Sequence, residues 1–245
     1  MIILTALVHQ GFVDLEISTN PVHFKGWNQV RGKDIYLLTN LKHDYLSDKV
    51  HTVIPYNRLC WNYVDKIHYA FKLSMDLNTD VLWVDFNKIW KFKEIIKHFK
   101  SSDKLLYYDV WKSFNNKYID LDPMEVLQFG NWEPLKDYIH NHDIDPRELT
   151  IPMEEILYIP KGLITKDMIV ELEKGDGIMS YISYLQRYPY RTLDGEFNIG
   201  NGEGFLLGVL LKLFDIPHDL FEVPYFDRRS GWIRDYHKHK KIKMN

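Results

Sequence analysis

Along the first 110 residues of this chain, short runs of β-branched and aromatic residues alternate with segments of helical spacing. That alternation constrains the fold more than any other feature. Strands are expected at Ile2–Val8, Asp34–Thr39, Thr52–Ile54, Val81–Phe86 and Lys104–Val110, then at Ile156–Ile159 and Leu220–Val223. Helical stripes run through Cys60, Val64, Ile67 and Phe71, and through Ile89, Phe92, Ile96 and Phe99. Lys88, Lys91, Lys93, Lys97 and Lys100 fall mostly off the second stripe, as a solvated helix face does. A further helix, Glu203–Phe214, is apolar nearly all round, so it belongs in a core. Strands separated by helices predict an α/β fold, a mostly parallel sheet flanked by helices. Ligands of such sheets sit outside the carboxyl ends of the strands, here after Val8, Thr39, Val84 and Val110.

Several function classes are excluded early. One cysteine, Cys60, permits neither an internal disulfide nor a cysteine-cluster metal site. No run approaches the ~20 apolar residues that span a bilayer. The opening MIILTALVHQ lacks a basic leader and is expected to be a buried strand rather than a signal peptide. Together these predict a soluble cytoplasmic protein. Lysines outnumber arginines 23 to 8 and there are only two alanines, a bias that follows AT-rich codons, as in low-GC bacteria or viruses. If the source is viral, the compartment is the host cytoplasm. Charge is uneven. Residues 227–245 hold seven Lys/Arg against two acids, while the whole chain carries −3.

The fourth strand ends in DVLWVDFNKIW, where Asp85 and Asn87 emerge as the hydrophobic run stops. Oxygen ligands at i and i+2 on such a turn suit a hard divalent cation, Mg²⁺ or Mn²⁺, holding a diphosphate. Equally, Asp85 could cap a helix beginning at Lys88. In the loop GEFNIGNGEGFLL, glycines at 200, 202 and 204 let the backbone approach a ligand, and Glu203 falls in a first helical turn that favours a carboxylate. Asp194 and Glu196 lie on the same loop.

The succession of a first strand, DIYLLTN, a helix containing Lys66, and DVLWVDFN resembles the GT-A class of nucleotide-sugar glycosyltransferases. In that class a helix bearing a lysine precedes a hydrophobic strand ending in Asp-x-Asp; here Asn87 replaces the second Asp. The resemblance covers Met1 to Val110 in layout and returns near Gly202–Leu220. It implies a single GT-A-like domain over 1–226, with a nucleotide-sugar-binding half (1–110) and an acceptor half (111–226), followed by a basic tail (227–245). It implies donor contacts from Thr5, Ala6 and Leu7 to the nucleoside and from Lys66 to the phosphates. Without the resemblance, a lone lysine on an amphipathic helix is expected to face solvent, as Lys72 is. Asp85, Asn87 and His237 would hold the metal, Lys238 would assist at the diphosphate, and Glu203 would be the catalytic base.

The implied reaction is transfer of a sugar from a nucleotide diphosphate, UDP by preference, to an acceptor hydroxyl. The basic tail and the AT-rich composition make a hydroxymethylated pyrimidine of phage DNA the preferred acceptor, since clustered Lys and Arg beside Tyr225, Phe226, Trp232 and Tyr236 favour phosphates and bases. A glycan or glycolipid acceptor is the alternative. So are a nucleotidyl transferase, whose basic loop HQGFVDLE lacks, and a non-catalytic binding protein of the same fold, for which Asn87 is the best argument. The HNH triplet at 140–142 has no nuclease-like flanks and carries no weight.

Overall fold

The computed structural model describes residues 1–7, 34–40, 50–57, 65–85, 95–97, 99–107, 133–145, 148–149, 156–175, 190–191, 197–198 and 202–221. Its centre is a seven-stranded mixed sheet. β1 (Ile2–Leu7) pairs in parallel with β2 (Ile35–Thr39) on one side and with β4 (Val81–Val84) on the other, and β2 pairs in parallel with β3 (Thr52–Pro55). β6 (Ile156–Ile159) runs antiparallel to both β4 and β5 (Leu105–Tyr107), and β9 (His218–Leu220) continues parallel to β5. The order is β3-β2-β1-β4-β6-β5-β9, so six strands point one way and β6 alone opposes them. A separate ribbon pairs β7 (Tyr190–Arg191) with β8 (Phe197–Asn198). The mostly parallel α/β sheet expected from the alternation is therefore present, with one reversed strand that the apolar pattern does not disclose.

Alternation along the strands divides the sheet into two faces. Leu4, Leu38, Val81, Trp83, Leu157, Ile159, Leu105 and Tyr107 share one core with four helices: α1 (Asp65–Leu77), α2 (Glu133–Asn141), α3 (Lys166–Glu173) and α4 (Gly202–Leu213). Ile3, Ile35, Leu37, Leu82, Val84, Ile156 and Tyr158 form the other core with Ile95 and Phe221. On α4, Leu206, Leu207, Val209, Leu210 and Leu211 are all buried, as the all-round apolar pattern predicts. Each such side chain contributes ~1.5–3 kcal/mol relative to exposure.

Three helices stop in the same way. Asn78, Asp143 and Asp215 follow α1, α2 and α4 with φ of 46°, 53° and 47°. The residue after each donates its N–H back to the last turn, Thr79 to Ser74 O, Ile144 to Ile139 O and Ile216 to Leu211 O. This is the left-handed C-cap that Asn and Asp tolerate. α3 begins on Thr165, whose side chain accepts from Met168 N.

Three sequence expectations are corrected. The last strand lies two residues earlier than Leu220–Val223, because β9 is an edge strand whose register follows Leu105–Tyr107 and admits polar His218 and Asp219. The fourth strand ends at Val84, before Asp85. Lys66 faces the interior, as described below. Lys97 and Lys100 are exposed as expected, whereas Lys88, Lys91 and Lys93 lie outside the described residues. Among the described residues no helix is long and apolar enough to cross a membrane.

Candidate functional site

Strand order reverses between β1 and β4: from β1 the chain proceeds outward to β2 and β3, then returns to the opposite side of β1. Such a switch point opens a crevice at the carboxyl ends of the strands. β1 ends there at Leu7, β2 at Thr39 and β3 at Pro55, and Asp85 follows the end of β4. Asp85 lies two residues beyond the Leu4–Trp83 pair, which brings it level with Ala6 on the neighbouring strand. α1 returns from the end of β3 to the start of β4, so its first turn, Asp65 to His68, stands at this same edge.

Six polar or charged residues are buried among those described: Thr5, Thr39, Asp65, Lys66, Ser74 and Glu171. Ser74 is explained by its hydrogen bond to Thr79 O in the C-cap of α1. Four of the others, Thr5, Thr39, Asp65 and Lys66, lie on β1, β2 and the first turn of α1, toward the switch-point edge. Thr5 and Thr39 fall on the sheet face of Ile3 and Leu37, and Asp65 and Lys66 on the side that carries α1, so buried polar groups flank this edge from both faces.

The carboxylate of Asp65 accepts a 2.6 Å hydrogen bond from the Tyr56 hydroxyl, which joins the start of α1 to the residue just past β3. Tyr56 is itself held by its N–H to Thr39 O at 2.9 Å. Lys66, expected on a solvated face, is only 4% exposed. The reason is its position: Lys66, Ala70 and Ser74 recur every fourth residue, and the small side chains at 70 and 74 bring that flank of α1 against its neighbours. That spacing is the signal by which its burial could have been read. Lys72, two turns on, is a surface residue paired with Asp76 at 3.4 Å.

Thr5 is fully buried, and its Oγ1 finds no hydrogen-bond partner among the described residues. An unpaired buried hydroxyl costs ~1–3 kcal/mol. Ala6 packs on the helix-bearing face, and Leu7 pairs with Thr39.

Asp85 is half-buried, and its Oδ1 accepts a 2.7 Å hydrogen bond from the Trp83 indole N–H. This contact satisfies a buried indole and fixes the orientation of the carboxylate, leaving Oδ2 as the atom that a cation would use. An oriented carboxylate is what a metal ligand requires. Among the described residues no group of three His, Cys, Asp or Glu side chains is arranged to hold a metal. Asn87, His237 and Lys238 lie outside the described residues, and so does the segment from Lys88 where the sequence predicts a helix for Asp85 to cap. Glu203 is in the first turn of α4, at the end of the helix away from the turn into β9. His142, of the HNH triplet, stacks on Tyr138 at 4.1 Å and bonds to Tyr138 O, a local helix-end contact.

Beside the edge, α3 ends against the start of α1. His68 Nε2 lies 2.9 Å from Glu173 Oε1. Glu171 is buried and accepts from the Tyr138 hydroxyl at 2.7 Å and from the Lys174 ammonium. Burial pushes its pKa upward, but the hydrogen bonds from Lys174 and Tyr138, with the charges of Lys174 and His142, outweigh it and hold the carboxyl below its ordinary value of 4.5.

Compared with protein-family models, with curated proteins and with solved structures, the chain matches none.

Proposed function

We propose that the protein is a GT-A-like glycosyltransferase that moves a sugar from a nucleotide diphosphate, UDP by preference, to an acceptor hydroxyl. The observation that carries this reading is the burial of Asp65 and Lys66 in the first turn of α1, on the helix-bearing side of the switch-point edge where Asp85 leaves β4, with the buried Thr5 and Thr39 on the other face of the same edge. A buried ammonium and an oriented carboxylate at one strand edge suit a ligand that is itself a polyanion with a bound metal.

In this reading Thr5, Ala6 and Leu7 line the nucleoside, and Lys66 faces the donor phosphates. Asp85 would hold Mn²⁺ or Mg²⁺ through Oδ2, the oxygen that Trp83 does not engage, with Asn87 and His237 completing the set and Lys238 assisting. A bound divalent ion supplies charge neutralisation at the diphosphate. The bond between the anomeric carbon and the phosphate oxygen breaks, the acceptor oxygen bonds to that carbon, and nucleoside diphosphate leaves. Glu203 takes the acceptor proton. The basic tail, with seven Lys/Arg in residues 227–245, favours a DNA acceptor carrying a hydroxymethylated pyrimidine. Reaching that hydroxyl requires groove access or a flipped nucleotide.

A thermal-shift series with UDP, GDP, CDP and their sugars, with and without Mn²⁺, tests the donor. Binding at 100 times the dissociation constant adds about 2.7 kcal/mol of stability, a visible shift. One nucleotide giving a metal-dependent shift supports the reading, and a flat response to all of them overturns it. Release of free nucleoside diphosphate, rather than pyrophosphate, excludes nucleotidyl transfer. Deleting residues 237–245 is expected to weaken DNA binding and flatten its salt dependence; an unchanged salt series removes the DNA acceptor and leaves the glycan alternative.

A further inference from the structure

The first turn of α1 is anchored from two sides. From the sheet, the Tyr56 hydroxyl donates to Asp65 at 2.6 Å. From α3, Glu173 meets His68 at 2.9 Å. Between these two anchored positions sits Lys66. The rings of Tyr56, Tyr69 and His68 run between the anchors, with centroids 6.3 Å and 5.6 Å apart.

The arrangement at the end of α3 runs against local preference. Glu171 and Glu173 occupy its last turn, where the helix dipole favours cations, and that turn holds no basic residue. The two carboxylates are divided between neighbours. Glu171 is taken by Tyr138 of α2 and by Lys174, while Glu173 reaches across to α1. A helix start is otherwise its most easily frayed part, since its first N–H groups have no partner within the helix.

We infer that Glu173 is a positioning residue which, through His68, fixes the first turn of α1 and thereby the place of Lys66 at the switch-point edge. The inference rests on the reading of Lys66 as the donor-phosphate residue. Its consequence is selective: loss of Glu173 weakens the grip on phosphates and leaves the grip on the nucleoside as it was.

The test measures dissociation constants by calorimetry for UDP, GDP and CDP, each beside its own nucleoside, with the full-length chain. Glu173→Ala is expected to weaken the diphosphate that binds by about 5-fold, with nucleoside affinity unchanged. Glu173→Gln, which keeps a hydrogen-bond acceptor for His68, is expected to stay within about 2-fold of the original. In a Lys66→Met background, Glu173→Ala is expected to do nothing further, because both act through one ammonium. Lys66→Gln serves the same purpose should the methionine variant not fold. The inference is overturned if Glu173→Ala weakens nucleoside and diphosphate equally, if it changes neither, or if its effect persists without Lys66. A different result marks failure of the underlying reading: Lys66→Met leaves diphosphate affinity intact, or no nucleotide binds the unaltered protein at all.

Discussion

The two edges of the central sheet are built on opposite terms. At the amino edge, polar groups close turns. Asp80 precedes β4, accepts the Lys161 N–H at 2.9 Å and gives its own carbonyl to Ile2 N. Tyr158 lies nearby, its phenol pushed above the ordinary range first by burial and then by the charge of Asp80. Each group there has an evident structural partner. At the carboxyl edge, a buried ammonium and a buried carboxylate sit at the start of α1, and the Thr5 hydroxyl has no partner among the described residues. At the carboxyl edge Asp65 has the Tyr56 hydroxyl, and Thr5 Oγ1 is the one buried side-chain oxygen among the described residues left without a partner, so the two edges differ in how fully folding accounts for their polar groups.

The same substitution on both edges tests this contrast most strongly. Tyr56→Phe removes the donor to a buried carboxylate and is expected to cost about 1.5–3 kcal/mol of unfolding free energy in urea. Tyr158→Phe leaves Asp80 with the Lys161 N–H and is expected to cost less, about 1 kcal/mol. Nucleotide affinity should fall with the first and not with the second. Equal costs with no effect on binding from either would erase the distinction between the edges.

A second expectation concerns pH at the helix cluster beside the carboxyl edge. Glu171 has a pKa below 4.5 in the folded protein, so its charged form stabilises the fold. That contribution is complete above the unfolded value and is lost as pH falls through the lowered one. Glu171→Gln should therefore melt lower than the original chain at pH 7, by an amount equivalent to about 1 kcal/mol. The two melting curves should converge as the medium becomes more acid than pH 4.5. A difference that stays constant across that window would show that the carboxylate charge does not contribute.

Much of the sheet was legible because buried strands announce themselves. Ile156–Ile159 is found at the expected limits, and β1 to β4 within a residue or two, since runs such as Val81–Val84 are apolar on both faces. The reversal of β6 was not legible: a buried strand has the same composition whichever way it runs. α2 and α3 were missed because they are short and carry many charges, so core residues such as Ile139 and Met168 form no long apolar stripe. Within the candidate site, Asp85 could be found from the end of an apolar run. Thr39, Tyr56 and Asp65 could not, because their grouping depends on the return of α1 to the edge. The burial of Lys66 was not legible, because it depends on Ala70 and Ser74, two small residues that a search for apolar stripes passes over.

The smallest effect is also the sharpest comparison, since stability and binding are expected to move in opposite directions. Thr5→Val replaces a fully buried hydroxyl, without a partner among the described residues, with a methyl of nearly the same volume. In a core whose neighbours are Ile3, Leu37 and Val84, that exchange should raise stability by about 1 kcal/mol, because no hydrogen bond is given up. If the hydroxyl is kept for the donor nucleoside, the stabilised variant should bind nucleotide several-fold more weakly, about 5-fold for one lost neutral hydrogen bond. Denaturation and calorimetry on one preparation read both quantities. Gain in stability with full affinity would assign Thr5 to the scaffold, and would shift the nucleoside contacts onto Ala6 and Leu7. Loss of stability would mean that the hydroxyl already has a partner in the folded chain, and the contrast between the two edges would then rest on Asp65 and Lys66 alone.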